Sequence, residues 1–81
     1  MNNARDAYLE RSRRVASLLA WLDCELARHE ARAMKPENVK DWGMVGDLGH
    51  VEEELKGPLC FLSGMSEAEL DQALNDGGDH V

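Results

Sequence analysis

Apolar positions in this chain recur at spacings of three and four over most of its length, and they form three separate stripes. The first reads Tyr8, Val15, Leu19, Leu22 and Leu26, with Ser12, His29 and Ala33 completing the spacing. Positions three and four apart share one side of an α-helix, so this stripe predicts an amphipathic helix with a heptad-like seam. Leu18 and Trp21 lie beside the seam and widen it, which predicts more than one neighbour. Asn2 or Asn3 can cap the helix just before Ala4. Pro36 ends it, because the residue before a proline is pushed out of the α region. The span is long for so small a chain, and a bend in it is expected.

A second stripe reads Leu48, Val51, Leu55, Leu59 and Leu62, with Glu52, Glu53 and Glu54 facing away from it. It predicts a helix capped by Asp47 and running to Leu62. Gly57-Pro58 interrupts the stripe. A proline removes one backbone donor and crowds the preceding turn, so a kink or a break is expected there. Ser63-Gly64 closes the element. The stretch between the first two helices, residues 35–47, is dense in turn residues and reads as a connection, with Trp42 folding back as a lid on the core or, alternatively, standing out as an anchor for a partner. The third element has the sharpest local signature. Ser66-Glu67-Ala68-Glu69 is a capping box, Met65 and Leu70 can form a hydrophobic staple, and Leu70, Ala73 and Leu74 point inward as far as Asn75. Residues 77–81 read as a flexible tail. No alternating run suggests a strand.

These elements predict an all-α fold. It is an antiparallel helical hairpin, with a long first helix and a kinked second helix, followed by a short C-terminal helix. With 81 residues, the chain is read as a single helical domain over 1–81. At 1.5 Å per residue the second helix covers about half of the first, so apolar surface near Tyr8 stays uncovered. A dimeric bundle built on the first helices closes it, with Tyr8, Val15, Leu18, Leu19, Trp21 and Leu22 at the interface.

Charge changes the picture more than composition does. The net charge of −7 is unevenly spread. Residues 1–35 carry seven Arg and Lys against five Asp and Glu, whereas residues 36–81 carry two lysines against eleven acids. Nucleic acid attracts clustered basic charge, so it is not the expected partner of the chain as a whole. The second half instead reads as a surface for a protein partner with a basic face, carried by Glu52, Glu53 and Glu54. The bland alternative is a solvated face. Arg11, Arg13 and Arg14 form the one basic cluster, which reads as a solvated helix face pairing with Asp6 and Glu10 and leaves open a dimeric, RNA-binding regulator of the copy-number-repressor type. A purely structural subunit is the third alternative.

Candidate chemistry is sparse. Cys24 and Cys60 form no Cys-x-x-Cys pair and read as small buried hydrophobes in a reducing, cytoplasmic setting. Cys24 and His29 are five residues apart on a helix, a poor placement for two zinc ligands. His50 and His80 belong to no Ser-His-Asp spacing. The run from Gly43 to Gly49 lacks the lysine of a phosphate-binding loop and the strand that would precede it. The reading is therefore a non-enzymatic protein with no metal and no cofactor. Its longest apolar run, Leu18 to Leu22, is far too short to span a membrane.

The segment Asp41-Trp42-Gly43-Met44-Val45-Gly46-Asp47-Leu48-Gly49-His50-Val51, with Leu55 and Phe61-Leu62-Ser63-Gly64, resembles small helical accessory proteins carried on bacterial plasmids, phages and other mobile elements. Tyr8-Leu9-Glu10-Arg11-Ser12-Arg13-Arg14-Val15-Ala16 is similar to their opening helix. The likeness extends from Tyr8 to Gly64, and Gly57-Pro58 departs from it. It brings no active residues. It implies a genetic setting in which such proteins manage host defence, copy number or element stability, and so an inhibitor of the anti-CRISPR or anti-restriction type.

Overall fold

The computed structural model describes residues 3–77. Among these the fold is all-α: α1 spans Ala4–Ala33, α2 spans Trp42–Ser63 and α3 spans Glu67–Asn75. His80 and most of the expected tail over 77–81 lie outside the described residues. The chain divides into two compact units, Met1–Asp41 and Trp42–Val81.

In the first unit, α1 begins where its cap predicts. The Asn3 carboxamide oxygen accepts from the Asp6 amide at 2.9 Å, filling one of the amide donors that every helix start leaves open. The other end holds a device that spacing did not reveal. The Asn38 side-chain amide donates to the Arg32 carbonyl at 3.0 Å, a last-turn acceptor that also takes the Lys35 amide at 3.2 Å. The chain then passes through successive tight turns, with Asn38 N–H donating to Lys35 and Asp41 N–H to Asn38.

In the second unit, α2 departs from expectation at its start. It starts at Trp42 rather than Asp47, so the first two glycines of the Gly43–Gly49 run lie inside the helix instead of in a connection. The apolar stripe explains this. Met44 is half-buried, four residues before half-buried Leu48, with Val51 following. The helical pattern therefore begins one turn early, and the helix runs through both glycines despite a cost of roughly 1 kcal/mol per residue. A Cβ added at Gly46, Gly49 or Gly57 would meet nothing within 4 Å, so no close approach calls for these glycines. Of the kink or break expected at Gly57-Pro58, no break occurs, and Pro58 lies inside a continuous helix. The ring withholds the amide that would donate to the Glu54 carbonyl, but the turns on both sides hold. Gly64, at φ 79°, then supplies the left-handed residue that ends the helix, and its amide donates to the Cys60 carbonyl at 2.9 Å.

The α3 capping box forms as read. The Glu69 amide donates to the Ser66 hydroxyl at 3.1 Å, and the Ser66 amide donates to the Glu69 carboxylate at 2.9 Å. These bonds hold the Glu69 carboxyl below the ordinary glutamate range, the Ser66 amide being the larger cause and its hydroxyl the smaller. Leu70 packs α3 against α2 and is 4% exposed, the single buried apolar residue among those described. Ala73 and Leu74, expected to point inward, are exposed. A nine-residue helix has room to bury one such position against a single neighbour, and Leu70 takes it.

Candidate interaction surfaces

Two surfaces stand out, one in each unit. On α1 the whole apolar stripe meets solvent. Tyr8 is 72% exposed, Leu18 66% and Trp21 68%, and Val15, Leu19 and Leu22 are exposed as well. The six residues expected at a dimer interface therefore share one helix and are all accessible. Leu18 and Trp21 line a shallow groove with Glu10, Arg13, Arg14 and Ser17. The Trp21 indole N–H donates to the Glu25 Oε2 at 3.3 Å, and Arg28 reaches the same oxygen at 3.4 Å. Arg11, Arg13 and Arg14 are exposed, and no ion pair joins Glu10 to Arg14. Cys24, expected to be buried, is exposed, while Cys60 is half-buried. The physical reason is that α1 has no buried side for Cys24 to occupy.

On the second unit, an apolar groove between α2 and α3 is lined by Leu55, Leu59, Leu70 and Leu74, with Glu52 and Lys56 on its rim. Lys56 acts as a clamp. Its ammonium lies 2.9 Å from the Glu53 carboxylate and 3.0 Å from that of Asp71 on α3. Its side chain is only 15% exposed, so the stem covers apolar surface while the charge is met twice. The Glu53 carboxylate first, and Asp71 second, hold the Lys56 ammonium well above the ordinary lysine range. The three glutamates thus play different parts. Glu53 is neutralised locally by Lys56, Glu52 edges the groove, and Glu54 is exposed with no ion pair among the described residues. Trp42, read as a lid, is 80% exposed at the first position of α2. A helix end projects such a side chain outward, whereas a loop could have folded it back.

Among the described residues no group of three or more His, Cys, Asp or Glu is placed to hold a metal ion. Among the described residues no helix is long and apolar enough to cross a membrane. No protein family matches the chain, and no curated protein or solved structure is significantly similar to it.

Proposed function

We propose that this is a non-enzymatic helical binding protein. Its α1 face closes against another α-helical surface in a dimeric bundle, and its acidic second half meets a basic surface of a protein partner. One observation carries the reading: every large apolar side chain of α1 is exposed, in a chain whose described residues bury only Leu70. A contiguous apolar face of this kind marks an interaction surface, and most helical stability comes from packing such a face. In the proposed assembly α1 and α2 form an antiparallel hairpin, and two hairpins join through Tyr8, Val15, Leu18, Leu19, Trp21 and Leu22.

The charge split supports the second contact. Among the described residues no ion pair joins Glu52 or Glu54 to a cation, and Glu53 adds what Lys56 leaves. Complementary charge speeds encounter and discriminates between partners. The likeness to accessory proteins of mobile elements favours a host defence complex as the partner, because such complexes carry basic nucleic-acid-binding surfaces.

The test is affinity capture from a bacterial lysate, followed by binding kinetics with the captured protein. The Glu52→Lys/Glu54→Lys double variant spares the Lys56 clamp and should fold normally. It should associate more slowly, and added salt should then speed its association rather than slow it. Equal rates for variant and wild type would remove the acidic surface from the proposal. A salt-sensitive mobility shift with RNA or DNA at physiological salt would favour Arg11, Arg13 and Arg14 as a nucleic-acid contact instead.

A further inference from the structure

The α1 face has a direction. Between Tyr8 and Leu26 its charge is polarised: Glu10, Arg11, Arg13 and Arg14 precede Ser17, whereas Asp23 and Glu25 follow it. The first half is net positive and the second net negative, on one continuous helix with an exposed apolar stripe. We infer that α1 docks on α1 of a second copy in antiparallel orientation, about a two-fold axis close to Ser17. The inference rests on reading the α1 face as an assembly surface, and it specifies the occupant, the direction and the register.

The register follows from the heptad seam. With the axis at Ser17, Tyr8 faces Leu26 of the second copy, Ser12 faces Leu22, and Val15 faces Leu19. Every layer then holds an apolar side chain, over about 27 Å at 1.5 Å per residue. On one flank Leu18 meets Leu18 of the second copy, with Trp21 beside it. Arg11 lies opposite Glu25 on that same flank, twice by symmetry. The Trp21 and Arg28 contacts of Glu25 both use Oε2 and are long, at 3.3 and 3.4 Å, so the carboxylate can meet an incoming guanidinium. On the other flank Ala16 meets Ala16.

The competing arrangements each set like charges together. Sliding the antiparallel pair by one heptad, so that His29 and Ala33 join the seam, places Arg11 opposite Arg32. A parallel, in-register pair lays the two arginine clusters side by side. It also puts Glu25 against Glu30 of the second copy, through the flanking contacts that parallel coiled coils make. Like charges at flanking positions oppose pairing, so charge selects the antiparallel register centred on Ser17.

The test uses the full chain in two ways. A nitroxide at Ala7→Cys, in a Cys24→Ser/Cys60→Ser background, is read by pulsed electron paramagnetic resonance. The inferred register separates the two labelled backbones by 20 residues, or about 30 Å along the axis. Parallel pairing would bring them to roughly the 8–10 Å of two packed helices. In parallel, sedimentation compares wild type with Arg11→Glu, Glu25→Arg and the double swap. Each single variant should weaken dimerisation about tenfold, since two symmetric pairs turn from attraction to repulsion. The double swap should restore it. A label separation near 10 Å, a double swap no better than the singles, or a wild type that sediments as a monomer would each overturn the inference. A monomer that still bound a captured partner through Glu52 and Glu54 would sink the self-docking while leaving the acidic-surface reading standing.

Discussion

Leu70→Ala is the most direct probe of how the second unit holds together. The substitution removes three carbons from the one buried apolar side chain among the described residues. At about 0.8 kcal/mol per buried carbon, the lost transfer energy is about 2.4 kcal/mol. The extra cavity cost seen in closed cores should be small here. Leu55, Leu59 and Leu74 around it are 43%, 48% and 47% exposed, so water can enter the space. The expected loss therefore falls near the bottom of the roughly 2–5 kcal/mol range for Leu→Ala in cores. A nine-residue helix is below the ~12–15 residues at which an isolated helix becomes even marginal, so once undocked α3 should melt. Amide hydrogen exchange reads this locally. Protection over residues 70–75 should fall roughly fiftyfold, the equivalent of 2.4 kcal/mol, while amides in the middle of α1 keep theirs. A fall of less than about threefold in α3 would refute the idea that Leu70 is its anchor. An equal loss in α1 would mean that the whole chain had unfolded rather than that α3 had lost its anchor.

Two further outcomes follow from local features. Pro58→Ala restores the missing donor to the Glu54 carbonyl and should raise stability against urea by about 1–3 kcal/mol, with a small gain in helical circular dichroism; a loss of stability would mean that the proline ring fills a contact. The Glu69 carboxyl is depressed in the folded state, which therefore binds a proton less readily than the unfolded chain. Its stabilisation of α3 is full above the ordinary glutamate pKa of about 4.3, and it is lost as pH falls through the lower folded value. Glu69→Gln keeps a capping oxygen but does not titrate, so α3 chemical shifts in that variant should lose this acid transition; identical acid profiles for the two proteins would sink the assignment.

What could be read from the sequence alone was whatever a residue and its near neighbours decide. The Asn3 cap, the stop before Pro36 and the Ser66–Glu69 box depend on groups within four residues of one another, and each stands where spacing predicts. The same holds for the helical class, because a 3.6-residue period is written directly in the order of apolar residues. Misreadings arose where local cues opposed packing. Gly43 and Gly46 look like a connection, and Gly57-Pro58 looks like a break. Yet one stripe of helical spacing, from Met44 through Leu48, Val51 and Leu55 to Leu59, runs through them on a single helix, so the period of the whole stripe outweighs the preference of individual residues. Long-range partners lay beyond sequence reasoning altogether. Nothing in the spacing of Lys56 and Asp71, fifteen residues apart, says that an ammonium on α2 will be held between Glu53 and a carboxylate of α3. Only the turn at Ser63–Ser66, which brings α3 back onto α2, decides that. It also decides that, of two leucines and an alanine read as inward on α3, Leu70 is the one covered, because two helices meeting at one point can bury one side chain fully and must leave the others to solvent or to a partner.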